Sequence, residues 1–179
     1  MSDFYLINIE DKNSWLKALK LSGNYDSYHL PEYHQIAKEQ NEGRPFLFHL
    51  TEHEGCISFP FLLRNIDESS GLSSRYNLKD VTSVYGYPGI ISSIPRSTAN
   101  FKNIQIKFKK ALFKTLKDLN VISLFSRLNP FIQTDWIIET CGVLTPGGET
   151  IAIDLRRSDS EQIKCMTKGH KYDIRKAYR

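Results

Sequence analysis

No stretch of this sequence stays apolar for more than about five residues, whereas a membrane-spanning helix needs roughly 20. The opening MSDFYLINIEDK carries acidic residues and has no apolar core of the secretory kind. Cysteine is scarce. Cys56, Cys141 and Cys165 are odd in number and lack paired spacing, which argues against a disulfide framework and a zinc knuckle. These features together point to a reducing, cytoplasmic setting. Charge of one sign is also lacking: 24 Lys+Arg against 20 Asp+Glu leave +4, too mild a balance for a dedicated nucleic-acid binder. No GxxxxGK[ST] phosphate loop and no Q/R-x-x-G-x-G/A donor loop occurs.

Aromatics are not lacking. Ten Phe, nine Tyr and two Trp in 179 residues exclude a disordered chain and supply a core for one domain. Residues 4–9 read as a strand, followed by a helix with Trp15, Leu16 and Leu19 inward and Gly23 as its stop. Pro31 opens a second helix with Tyr33, Ile36 and Ala37 inward and Gly43 as its left-handed end. Phe46–Leu50 and Cys56–Arg64 form a hairpin about Glu54-Gly55. Residues 67–79 are a polar loop, and 80–91 (DVTSVYGYPGII) a β-rich stretch broken by two glycines and a proline.

Apolar positions Phe101, Ile104, Phe108, Ala111, Leu112, Leu116 and Leu119 predict a helix over 99–119. A strand is expected over 121–128, a short helix over 135–139 and a strand over 150–155 (TIAIDL). Ser158 and Glu161, in capping-box spacing, start a helix that runs to Arg179. This β-α-α-β-β-β-α-β-α-β-α order predicts an α/β fold with a mixed, mostly antiparallel sheet flanked by helices, including a parallel crossover through the long helix.

Several residue groups invite a functional reading. In VYGYPG, Gly86 and Gly89 permit positive φ or close backbone approach, and Pro88 stiffens the turn. Tyr85 and Tyr87 offer flat faces with hydroxyl tips suited to a sugar or peptide. The same residues also read as a kinked strand with packed tyrosines. Arg127, on the strand face of Val121, Ser123 and Phe125 and just before Asn129, suits a phosphate or carboxylate, or else a structural ion pair. Lys164, Lys168, Lys171, Arg175 and Arg179 form a basic helix face for a diphosphate, tRNA or acidic partner, or a solvated surface. Ile163, Met166, His170, Ile174 and Ala177 line another face, with His170 expected to be packed and hydrogen-bonded rather than a base. His49 and His53 lack a third ligand, so no metal site is expected. No cysteine has a histidine partner in sequence.

YHLPEY (28–33), FPFLLRNI (59–66), DVTSVYGYPG (80–89), SLFSRLNP (123–130), GGETIAIDL (147–155) and KGHKYDIRKA (168–177), in this order, resemble the FemAB-like branch of the GNAT acyltransferases. The resemblance covers nearly the whole chain. It implies a GNAT-like first domain over 1–157 and a helix over 158–179 leading toward a second such domain, with a homo-oligomer as another arrangement. It further implies transfer of an acyl or aminoacyl group, from acyl-CoA or aminoacyl-tRNA, to an amine of a cell-wall precursor or amino sugar. The first domain's share would be acceptor contacts by Tyr85, Gly86, Tyr87, Pro88, Gly89, Arg127 and Asn129. A non-catalytic interaction domain using the basic helix face is the alternative, and no general base is evident.

Overall fold

The computed structural model describes residues 3–66 and 77–178. Residues 67–76 of the expected polar loop, and Arg179 of the basic stripe, lie outside the described residues. The chain divides into two compact units, Met1–Thr145 and Pro146–Arg179.

Alternating side chains build the first unit from its central hairpin outward. Strands β2 (Arg44–Glu52) and β3 (Gly55–Asn65) pair antiparallel, and β1 (Asp3–Asn8) adds to the free edge of β2. Successive residues of a strand face opposite sides. Phe46, Phe48, Leu50, Ile57, Phe59 and Phe61 therefore pack on one side with Ile104, Phe108 and Leu112 of helix α3 (Phe101–Asp118) and with Trp136 of helix α4 (Asp135–Ile138). Leu47 packs on the other side with Trp15 and Leu19 of helix α1 (Lys12–Ser22). Helix α2 (Pro31–Glu39) closes a smaller cluster of Ala37, Leu62 and Val84. The hairpin is hydrophobic on both faces because helices cover both.

The far edge of β3 positions the site. Strand β4 (Lys79–Thr82) pairs with Leu62–Asn65, and strand β5 (Ile91–Ser92) pairs with Ile57 and Ser58. Residues 83–90 detach from the ladder between these two pairings. Strand β6 (Val121–Leu124) then lies parallel to β4, as a crossover through α3 requires. The mixed, mostly antiparallel sheet flanked by helices is as expected from the sequence.

Several local expectations are corrected. Ile36 is 52% exposed, and His34 takes the inward place on α2, where its ring packs tilted against Trp15 (5.1 Å between centres) and bonds the Tyr28 carbonyl. The left-handed end of α2 falls to Asn41 (φ 60°). Gly43 is needed for packing instead: a Cβ there would stand 2.9 Å from Arg64 Cγ and 3.0 Å from Leu62 Cβ. The strand expected over 121–128 stops at Leu124, since its sheet neighbour β4 ends at Thr82; Arg127 therefore lies beyond the strand rather than on its face.

In the second unit, residues 150–155 have strand-like alternation in sequence but no ladder partner among the described residues, and Ile151 and Leu155 are 92% and 83% exposed. The single C-terminal helix is two, α5 (Asp159–Cys165) and α6 (Lys168–Ala177). Met166 is extended (ψ 150°), and Thr167 restarts the chain by accepting from His170 N–H. Lys164 is thus on a different helix from Lys168, Lys171 and Arg175. Neither helix buries a residue, so Ile163 and His170, expected to pack, are exposed. Among the described residues no helix is long and apolar enough to cross a membrane.

Candidate functional site

Three segments of the first unit meet beside the open end of β4: the detached stretch 83–90, the turn 26–29 before α2, and the loop 127–134 after β6. Within 83–90 burial alternates. Val84, Gly86 and Pro88 are buried, whereas Tyr85 is 77% and Tyr87 39% exposed. The tyrosines form a solvent-facing wall and are not core. Arg127 stacks on it, its guanidinium 5.9 Å from the Tyr85 ring centre. A cation over a phenol ring at an exposed position contributes about 0.5–1 kcal/mol. A guanidinium over a ring can still direct its N–H groups to an anionic or hydroxyl-bearing ligand.

Tyr28 extends the wall. Its ring stands edge-on to Tyr87 (6.3 Å) and to Tyr33 (5.4 Å). Burial raises the Tyr33 hydroxyl pKa, helped by the neighbouring Tyr28, Glu42 and Tyr85 groups, so at neutral pH the phenol stays a hydrogen-bond donor. The expected glycine role is refined here. Gly86 (φ 98°) and Gly89 (φ 49°) do adopt the left-handed region, but the close approaches they allow are internal. A Cβ on Gly86 would sit 2.6 Å from Tyr28 Cδ1, and one on Gly89 would sit 2.9 Å from Asn129 N.

Asn129 is 6% exposed and its amide is engaged on both sides. Nδ2 donates to Asp26 Oδ2 (2.6 Å) and to the Tyr87 carbonyl (3.0 Å), while Oδ1 accepts from Phe131 N–H (2.9 Å). It supports the wall from behind, in place of the substrate contact expected from sequence. Thr134 Oγ1 donates to the Ile90 carbonyl at 2.6 Å and fixes the other end of the segment. On the opposite side, Asp26 caps the turn by accepting from Tyr28 N–H (2.9 Å) and lies 2.9 Å from His29 Nδ1. Trp15 Nε1–H donates to the His29 carbonyl (2.9 Å), and His34 Nε2 bonds the Tyr28 carbonyl (3.1 Å).

Sequence reasoning missed this second layer of Asp26, Tyr28, His29 and His34. The spacing Asp26-x-x-His29 ahead of Pro31 is a capping signal that marks the turn. That the turn abuts residues 83–90 is a tertiary fact. Neither histidine serves as a base. Both are fully buried; desolvation drives His34 to about 3 from the ordinary 6.5, and desolvation lowers His29 against the opposing pull of Asp26.

Elsewhere, His49 Nδ1 and Ser58 Oγ are 2.8 Å apart, and Ser58 Oγ is 2.8 Å from Ser22 Oγ. All three residues are at most 1% exposed, so this chain of hydroxyls ties α1 to the hairpin and reaches no substrate. Among the described residues no cluster of His, Cys, Asp and Glu could hold a metal ion. On α6, Lys168 and Arg175 are exposed, while Lys171 is partly buried and its Nζ donates to the Lys164 carbonyl (3.1 Å).

No family model matches the chain, and no curated protein matches it. Among solved structures, it is similar to a predicted acetyltransferase from Clostridium acetobutylicum, solved with acetyl-CoA, at 10% identity and a TM-score of 0.42, over 89% of this chain and 99% of that one. It is also similar to a ribosomal-protein-alanine N-acetyltransferase from Brucella melitensis biovar Abortus 2308, at 10% identity and a TM-score of 0.43, over 86% of this chain and 100% of that one. Fold does not fix function, which has to be argued from the site.

Proposed function

We propose that this chain is the acceptor-binding half of a GNAT-type acyltransferase of the FemAB-like kind, acting on the amine of an amino sugar or cell-wall precursor in the cytoplasm. The observation that carries the reading is the alternation through 84–88, which leaves Tyr85 and Tyr87 facing solvent with Arg127 stacked beside them. Exposed phenol faces next to a guanidinium fit a ring with polar substituents better than they fit a packing role. Residues 1–157 form the first domain in this reading, and 158–179 lead toward a second that binds acyl-CoA or aminoacyl-tRNA.

The reaction is attack of the acceptor amine nitrogen on the donor's thioester or ester carbonyl. A C–N bond forms, the C–S or C–O bond breaks, the thiol or hydroxyl leaves, and the amine gives up one proton. Holding the amine in line with the carbonyl is the larger part of such catalysis. The wall's contribution is to fix the acceptor's ring so that only the amine can move.

The test uses glucosamine and a muropeptide as probes. Tyr85→Ala and Tyr87→Ala should each weaken binding about tenfold, the scale of one lost aromatic contact, while leaving Tm nearly unchanged because both rings are exposed. Affinity unaltered by both changes would remove the reading. The second reading, a non-catalytic interaction domain, draws on exposed Lys164, Lys168 and Arg175. It expects binding to a polyanion such as heparin that weakens steeply between 50 and 200 mM salt and disappears in Lys168→Ala/Arg175→Ala.

A further inference from the structure

We infer that Asp26 and Asn129 form a two-sided clamp whose task is to position the tyrosine wall, with His29 as its buried anchor. The inference rests on the wall's being a binding surface, as proposed above, and goes beyond it by assigning residues that never touch the acceptor. Each hydrogen of the Asn129 amide has one acceptor: Asp26 Oδ2 on the turn and the Tyr87 carbonyl on the wall. One side chain therefore ties together segments 42 and 103 residues away from it in sequence. Asp26 in turn holds Tyr28 through the backbone N–H and meets His29 Nδ1, while the His29 carbonyl is pinned by Trp15 of α1.

The clamp closes on a gap with no slack. The Tyr28 ring fills the space above Gly86, and the backbone of Leu128 and Asn129 fills the space above Gly89. Residues 83–90 have left the β3 ladder, so the backbone pairing that holds an ordinary strand is missing where Tyr85 and Tyr87 stand. Side-chain bonds replace it. An asparagine suits the post because it carries two donors and an acceptor on one planar group; aspartate, equal in size, has no donor and would face the Asp26 carboxylate.

Amide hydrogen exchange on the full chain reads the clamp without any ligand. Asn129→Asp, which sets a carboxylate against Asp26, should speed exchange of residues 26–29 and 85–90 at least tenfold while β2 and β3 exchange as in the wild type. Asp26→Asn, which keeps an acceptor for Tyr28 N–H, should give a smaller rise at 85–90. Asp26→Asn/Asn129→Asp restores a donor–acceptor pair across the turn but leaves the Tyr87 carbonyl without its donor. Exchange should therefore recover at 26–29 and stay fast at 85–90. Should Asn129→Asp fail to fold, Asp26→Asn and 19F spectra of 3-fluorotyrosine at positions 85 and 87 carry the test, with a broadened or shifted Tyr87 line expected. Unchanged exchange at 85–90, or an equal rise across the hairpin, would overturn the clamp. Failure of the wild type to bind glucosamine or a muropeptide would instead overturn the binding reading and leave the exchange pattern standing.

Discussion

Melting temperature should fall by about 10–20 °C between pH 7 and pH 4, most of it before the carboxylates titrate. The cause is three buried histidines held neutral by the fold. Desolvation takes His49 from the ordinary 6.5 to about 4 and His34 to about 3, and lowers His29 as well. The sign follows from linkage. Below 6.5 the unfolded chain takes up protons that the folded chain refuses, so the stability these residues contribute is complete above that value. It is lost as pH drops toward about 4 and then about 3.

The displacements of His49 and His34 each correspond to a few kcal/mol, and the two together to on the order of 5 kcal/mol, a large share of the 5–15 typical of a domain. For a chain of this length that loss corresponds to the stated drop in Tm. Among the described residues the hydrogen-bond partners of His49 are the Ser58 and Thr51 hydroxyls and none is a carboxylate that would compensate its charging. Circular dichroism melts from pH 8 to 4 check this, with His49→Gln expected to flatten the slope between pH 6.5 and 5. A melting temperature constant down to pH 5 would contradict it.

Gly86→Ala should be the most disruptive glycine-to-alanine change among the described residues. Its φ of 98° strains any L residue, and the new Cβ would meet Tyr28 Cδ1 at 2.6 Å. A ring usually yields to such a clash, but Tyr28 is held by its N–H to Asp26 and by its carbonyl to His34. The conflict therefore passes into residues 83–90. Overpacking plus backbone strain costs about 2–4 kcal/mol, equivalent to roughly 5–15 °C in Tm. Probe binding should be lost at temperatures where the protein is still folded. Gly147→Ala and Gly148→Ala are the controls: a Cβ at either meets nothing within 4 Å, and both should be nearly silent. A Gly86→Ala protein as stable and as competent as the wild type would show that Tyr28 and the VYGYPG turn are not packed as described.

The fold was legible wherever one periodicity dominated. Six of the seven apolar positions predicted for the long helix lie in α3, with Leu119 as its C-cap, and Ile104, Phe108, Ala111, Leu112 and Leu116 are buried; the hairpin through Glu54-Gly55 also lies where the pattern puts it, because each element buries a face. Sequence reasoning failed where a pattern needed a partner it could not see. Residues 150–155 alternate like a strand yet have no ladder among the described residues, and the 121–128 stretch is cut short by the end of β4. The helix after Ser158 breaks at Met166-Thr167 because Thr167 makes a better cap than a continuing turn. At the site, Tyr85, Tyr87 and Arg127 could be read from residue type. Asp26 and His29 could not, since their relation to the wall depends on a loop 103 residues further along the chain.

An NMR titration of isotopically labelled chain with glucosamine, repeated on Tyr85→Ala/Tyr87→Ala, tests the central reading most directly. Saturable shifts are expected at residues 83–90, Tyr28 and Arg127 alone, and they should vanish in the double variant. Saturable shifts elsewhere that leave 83–90 unmoved, or that survive loss of both rings, would contradict it.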